Sequence, residues 1–202
     1  MTGEKITPLN PRGENLSSVV EMLCREPTRK ESLLSWIRAL TPMDASDLMF
    51  KHDHSGRVLM YLVERSGTEI SAASASDGTL RFLAMATALL GKDNGQLFFL
   101  EEFDNGIHPT RLHLLLQLFE QATRQSGIQV VATTHNPAVL TFLSADQRSH
   151  TALVLREGDE SRIVRLRDLP DISRVLESED LGHLLASGWL DDAAALDPEL
   201  PR

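Results

Sequence analysis

Cysteine, basic excess and long apolar runs are all scarce in this sequence, and each shortage removes a class of protein. Cys24 is the sole cysteine in 202 residues, so no internal disulfide framework holds the fold. Acidic residues outnumber basic ones by 29 to 20, a formal charge of −9. That balance argues against a broad electrostatic footprint for nucleic-acid phosphates, and DNA is not indicated as a partner by charge. No run approaches the roughly 18 apolar residues of a membrane span, so no membrane association is expected. The first 15 residues mix charges and prolines without an apolar h-region, which speaks against a secretory signal and makes the cytoplasm the expected compartment. Internal repeats and low-complexity tracts are also missing. What remains is a chain that is 42% apolar and long enough to bury most of its unfolded surface.

Residues 1–13 carry Gly3, Pro8, Pro11 and Gly13 without periodicity and read as an irregular lead-in to one lobe over 14–202. Segment 14–45 is helical: Leu16, Val19, Val20 and Leu23 fall at helical spacing, and Leu33, Leu34, Ile37 and Leu40 repeat it after Pro27. Segment 46–71 changes to period two, with Asp53-His54-Ser55-Gly56 between Leu48-Met49-Phe50 and Val58 to Val63, which predicts a small antiparallel hairpin. Segment 72–144 alternates helix patterns, over 78–90 and 110–125, with the apolar runs Leu97 to Leu100 and Val130 to Ala132. That alternation predicts an α/β fold with a mostly parallel sheet flanked by helices. Segment 145–202 adds a strand at Thr151 to Leu155, a partner at Arg162 to Leu166 that continues the sheet, and a helical finish over 180–190.

Four short motifs in the central segment carry chemistry. Leu97-Phe98-Phe99-Leu100 ends in Glu101-Glu102, and ligands of open α/β sheets bind outside the carboxyl ends of strands. Successive strand residues face opposite ways, so Glu101 suits Mg²⁺ and Glu102 suits orienting or deprotonating a water; the plain alternative is a strand ending in solvent. Asn105-Gly106 then forms a tight turn, with His108 as turn residue or ligand and Pro109 entering a helix. Ser76-Asp77-Gly78-Thr79 opens the helix before the acids, and its free N–H groups read either as an anion site or as ordinary capping. After the second apolar run, Thr133-Thr134-His135-Asn136-Pro137 brings His135 to a strand's carboxyl end, where an imidazole can donate to a phosphate or sit as a loop residue.

Taken in order, these motifs resemble the C-terminal half of an ABC-type ATPase head, and specifically the AAA family ATPases of the AAA_21 type, relatives of RecF, OLD and SMC heads. A weaker similarity runs from Glu14 to the ending Leu181-Gly182-His183-Leu184-Leu185-Ala186-Ser187-Gly188-Trp189-Leu190. The resemblance implies a P-loop NTPase-like fold and a role in ATP binding and hydrolysis with Mg²⁺. It casts Ser76-Asp77-Gly78 as the signature motif that meets the γ-phosphate of a nucleotide held by an opposite subunit. Glu101 takes the magnesium-acid position of the Walker B strand and Glu102 that of the catalytic glutamate. Asn105 to Pro109, with Asn105, Gly106 and His108, matches the D-loop at a dimer interface, and His135 matches the switch histidine. Phe103 stands where proline is commoner.

One part of the pattern is lacking: no Gly-x-x-x-x-Gly-Lys-Ser/Thr occurs, and Gly91-Lys92 has neither the upstream glycine nor the following hydroxyl. The resemblance therefore covers a C-terminal lobe, from a truncated or split gene, or one whose phosphate loop comes from another chain. A nucleotide-sandwich homodimer, or a partner supplying that loop, is implied, as is a nuclease or toxin effector. Two other readings compete: a non-catalytic interaction or regulatory module that binds a full-length ATPase or effector, and a magnesium-dependent phosphodiesterase built on Glu101, Glu102, Asp104 and His108.

Overall fold

A computed structural model describes residues 9–91, 97–157 and 159–195. Two compact units divide the chain after Thr133. In the first, α1 (Leu16–Cys24) and α2 (Pro27–Leu40) form the helical pair, with Pro27 at the first position of α2, where its missing N–H costs nothing. They bury Val19, Val20, Leu23, Leu33, Leu34, Ile37 and Leu40, the residues whose spacing marks them as one face. Three basic residues on these helices are paired with acids: Arg29 with Glu26 at 2.8 Å, Lys30 with Asp47 at 2.5 Å and Arg38 with Glu31 at 2.9 Å.

The period-two pattern, which runs on through Thr68 to Ile70, forms three strands. β1 (Ala45–His52), β2 (Val58–Glu64) and β3 (Glu69–Ser71) form an antiparallel meander in the order β1-β2-β3. Its first turn is built by Asp53, whose carboxylate accepts from the backbone N–H groups of Ser55 at 2.8 Å and Arg57 at 2.9 Å. The Ser55 hydroxyl, donating to the same oxygen at 2.6 Å, and then those backbone bonds hold the Asp53 carboxyl below its ordinary range.

A 14-residue helix, α3 (Asp77–Leu90), follows, with Phe82, Leu83, Ala86 and Leu89 buried. Then come β4 (Leu97–Leu100), a 3₁₀ turn over Pro109–Arg111, α4 (Leu112–Ser126) and β5 (Gln129–Ala132). β4 and β5 pair in parallel, Leu97 opposite Gln129 through Leu100 opposite Ala132. Among the described residues parallel pairing is confined to this pair, which the crossover helix α4 connects. Helices α2 and α3 both pack on α4, whose buried Leu112, Leu115, Leu118 and Phe119 complete the core of the unit. One face of the β4–β5 pair stays open: Leu97, Phe99 and Val131 are 49%, 70% and 47% exposed.

The second unit begins with α5 (Pro137–Thr141) and α6 (Ala145–Ser149), the latter opened by a reciprocal capping box between Ser144 and Gln147. β6 (Ala152–Glu157) and β7 (Glu160–Arg165) form a separate antiparallel pair, so the expected continuation of the sheet gives way to a hairpin. The connection is too short for the crossover a parallel partner needs. α7 (Ile172–Val175), α8 (Leu181–Ala186) and α9 (Trp189–Ala195) complete the unit. The expected single finishing helix over 180–190 is two, broken at Gly188, whose φ is +78°. Leu140, Val164, Leu166, Leu169, Ile172, Leu181, Leu184 and Leu190 make the core. α8 lies close on α5 because Gly182 has no side chain: a Cβ there would meet the Pro137 carbonyl oxygen and lie 2.7 Å from the Thr141 methyl.

Among the described residues no helix is long and apolar enough to cross a membrane. Cys24 is half-buried on α1, and desolvation pushes its thiol up to about 11, against the opposing effect of Lys30. The thiolate is the reactive form, so alkylation by iodoacetamide at pH 8 should run about two orders of magnitude slower than for an unfolded cysteine peptide. Mass spectrometry on native and denatured protein checks this, and equal rates would contradict it.

Candidate functional site

The first unit brings three of the sequence motifs to one place. β4 ends at Leu100, where the chain of β5 continues the ladder: Thr133 N–H donates to the Leu100 carbonyl at 2.9 Å. Beyond that point the backbone turns. Glu102 takes a φ of +44°, a left-handed conformation that costs an L-residue roughly 1–2 kcal/mol. The acids therefore lie in a turn, and the two-face alternation expected of a strand does not reach them.

Several bonds hold that turn. The Glu102 N–H donates to the Thr133 hydroxyl at 3.2 Å. Phe103 N–H donates to the Thr133 carbonyl at 3.3 Å, and Asn105 N–H to the Glu102 carbonyl at 3.0 Å. The Asn105 side-chain amide donates to Oε2 of Glu102. Phe103 is buried against the ring of Phe119, centroids 5.1 Å apart, which anchors the turn in the core. Asp104 is also buried, while Glu101 and Glu102 are exposed.

The turn then meets the start of α3 backbone to backbone. A Cβ built on Gly106 would lie 2.6 Å from Cα of Gly78, and one on Gly78 would collide with the Gly106 carbonyl. Gly106 also has a φ of +80°, so two independent constraints select glycine there. The Ser76-Asp77-Gly78 helix start and the Asn105-Gly106 turn, 28 residues apart in sequence, are thus in direct contact. Ser76 caps α3: its hydroxyl accepts from Thr79 N–H at 3.2 Å and lies 2.9 Å from the Thr79 hydroxyl. Capping is therefore its job in this structure, with the remaining first-turn N–H groups and the positive helix end beside it.

His108 has a similar local job. Its ring Nδ1 accepts from Thr110 N–H at 3.4 Å and contacts the Thr110 hydroxyl at 2.9 Å, at the head of the 3₁₀ turn. His135 belongs to the second unit and is exposed. The neighbouring Asn136 caps α5, its side chain accepting from Ala138 N–H at 3.0 Å. Among the described residues no three His, Cys, Asp or Glu side chains gather as a metal-holding group. The phosphodiesterase arrangement of Glu101, Glu102, Asp104 and His108 therefore lacks its geometry. For Mg²⁺ held beside a nucleotide the demand is smaller, since that ion takes one or two carboxylates and fills its shell with phosphate oxygens and water. Exposed Glu101 fits that donor set.

Two features escaped the sequence reading. Thr133 was visible only as the residue after a strand, and its signal is a hydroxyl placed one position past the parallel register of Leu100 and Ala132. The Gly78–Gly106 contact had no local signal at all.

Residues 13–141, more than half of the chain, match the family profile described as AAA_21, "AAA domain, putative AbiEii toxin, Type IV TA system". The chain belongs to this AAA_21 family. Among solved structures it is similar to an SMC ATPase described by its ATP-driven dimerization and DNA-stimulated activation. The two are 13% identical, with 73% of this chain and 88% of that one covered and a TM-score of 0.51. It is also similar to the SMC head domain of Pyrococcus furiosus, with an extended coiled coil and bound to the C-terminal domain of ScpA. Here identity is 13%, coverage is 80% of this chain and the TM-score is 0.50; the AAA_21 chain spans 42% of that relative's length. Likenesses at this identity show the fold, that of an ABC-type P-loop ATPase head. No curated protein matches the sequence.

Gly78→Ala forces backbone to move and should destabilise the first unit by about 1–3 kcal/mol. Gly91→Ala, whose added Cβ would lie 3.3 Å from the Ala88 carbonyl, should cost less. Urea denaturation in a Trp189→Phe background, where Trp36 of α2 reports the first unit alone, checks both. Equal midpoints for Gly78→Ala and the parent would show that the two backbones are not in contact.

Proposed function

We propose that this AAA_21 chain supplies the magnesium acid, general base and signature helix of an ATP-hydrolysing site. The observation that carries the reading is the grip on Glu102. A carboxylate is displayed at the carboxyl end of a parallel strand, its backbone held in a strained conformation and one oxygen occupied by Asn105. Residues in strained conformations concentrate at functional sites, where the surrounding structure over-determines them. With Oε2 engaged, Oε1 is left to accept the proton of a water attacking the γ-phosphorus. Mg²⁺, when bound, would neutralise charge on the β- and γ-phosphate oxygens, and Glu101 would hold it.

The other residues take supporting roles in this reading. The α3 N-terminus, exposed at Ser76 and Asp77, would meet phosphate oxygens through its free N–H groups. His135 would donate an imidazole N–H to the γ-phosphate. Asn105 and Gly106 would line the interface with a second subunit, either in a nucleotide-sandwich dimer or with a chain carrying the phosphate loop. A nuclease or toxin effector would use the hydrolytic cycle, and the setting would be cytoplasmic.

One observation favours the second reading, an interaction or regulatory module without turnover. Parallel sheets occur almost always with both faces covered, and the exposed Leu97, Phe99 and Val131 leave one face of β4–β5 for a partner.

Magnitudes decide what the chain does alone. A helix N-terminus contributes about 0.3–1 kcal/mol to a favourable charge interaction and up to roughly 2 when partly buried, whereas even millimolar affinity needs about 4 kcal/mol. With no glycine-lysine loop in the sequence, the isolated chain should bind Mg-ATP more weakly than about 1 mM by calorimetry. Micromolar binding would show that the chain holds nucleotide in its own right. Where hydrolysis is measured, on the chain alone or beside a phosphate-loop subunit, Glu102→Gln should slow it by about 10²–10⁴ with nucleotide affinity preserved. Unchanged turnover removes Glu102 from the role of base.

A further inference from the structure

Glu102 is gripped at both ends, and the two grips come from different directions. Its carboxylate is held by Asn105, three residues on in the same turn. Its backbone is held by Thr133, thirty-one residues on and one position beyond β5. Thr133 makes three bonds to the strand that carries the acids: its N–H donates to Leu100, its carbonyl accepts from Phe103, and its hydroxyl accepts from the Glu102 N–H. The first two are main-chain bonds that any residue could make. The third requires a hydroxyl, and it falls on the one residue of the turn with a left-handed backbone that is not glycine.

We infer that Thr133 is a positioning residue for Glu102. Without the hydroxyl, the Glu102 N–H loses its acceptor, and the turn loses one of the bonds that offset the roughly 1–2 kcal/mol favouring an ordinary φ at a non-glycine residue. A relaxed Glu102 rotates its Cα–Cβ bond away from the present direction, and the carboxylate leaves the position where Asn105 holds it. The hydroxyl thus fixes where the carboxylate points while touching no substrate itself. The consequence for hydrolysis rests on the reading of Glu102 as base, whereas the consequence for geometry does not.

Two substitutions separate the hydroxyl from the shape of the side chain. Thr133→Val keeps the β-branched bulk and removes the acceptor, and Thr133→Ser keeps the acceptor. In the ¹³C,¹⁵N-labelled chain, Thr133→Val should lose the amide coupling and Cα shift that mark a left-handed Glu102 and should speed exchange of its amide by about tenfold. Thr133→Ser should retain both within about twofold. Left-handed signatures in Thr133→Val equal to the parent would overturn the inference, as would loss of them in Thr133→Ser. Mg-ATP turnover is followed on the same proteins, with Glu102→Gln as the zero. A fall of about 10- to 100-fold in kcat for Thr133→Val, with KM unchanged and Ser restoring the rate, is the expected result. Measurable parent turnover, on the chain alone or beside a phosphate-loop subunit, that Glu102→Gln leaves unchanged would sink the base assignment, and the spectra would still decide the role of Thr133.

Discussion

The parallel register between β4 and β5 is the constraint on which the candidate site depends. It ends with Leu100 opposite Ala132, so the next residue of β5's chain, Thr133, falls level with the point where the β4 chain must turn. One residue of slip would move the Thr133 hydroxyl away from the Glu102 N–H and put a different side chain in its place, because strand faces alternate at every step. What sets the register is packing. Phe103, buried against Phe119 of α4, ties the end of β4 to the crossover helix that delivers β5. A hydrophobic contact at the base of the turn therefore governs the polar geometry at its tip.

The glycine pair extends the same constraint to α3. Because Gly78 and Gly106 touch through backbone, the helix start and the turn cannot move independently by more than the slack between two main chains. The turn carries Asn105, and Asn105 holds the Glu102 carboxylate. A displacement of the α3 N-terminus is thus transmitted through rigid peptide units to the acid. Packed backbones have few alternative arrangements, which is the condition for a small shift at one point to be felt at another.

Much of this was legible in the sequence, and what was missed has physical reasons. The apolar stripes of α1, α2 and α3 and the runs of β4 and β5 came straight from periodicity, because burial of one face leaves a local trace. The order of the Ser-Asp-Gly, Glu-Glu, Asn-Gly and Thr-His motifs carried the family. The left-handed backbone at Glu102 left no trace, since Asn105-Gly106 is the stronger turn signal and glutamate is an unremarkable strand-end residue. Thr133 and the glycine contact lie 31 and 28 residues from their partners, beyond the reach of any local pattern. The β6–β7 hairpin is indistinguishable in sequence from more of the same sheet, because an apolar run does not declare which sheet it joins. The helices after Pro137 are four to seven residues long, too short for a 3.6-residue period to emerge.

Capping and ligand binding are rival explanations for Ser76 and His108, and each of these side chains is bonded to a backbone N–H of its own helix or turn. The rivalry is weaker than it first looks. A helix start has four unpaired N–H groups, and a single cap satisfies one, so a capped α3 still presents donors and the positive end of its dipole. An N-cap bond is worth about 1 kcal/mol, which fixes the first turn before any anion arrives and spares the anion that ordering cost. The side chains that make the fold at these positions therefore also prepare the site. The exceptions are Glu101, exposed at the strand end, and Oε1 of Glu102. Among the described residues neither takes part in holding the fold, and both are groups the proposed chemistry needs.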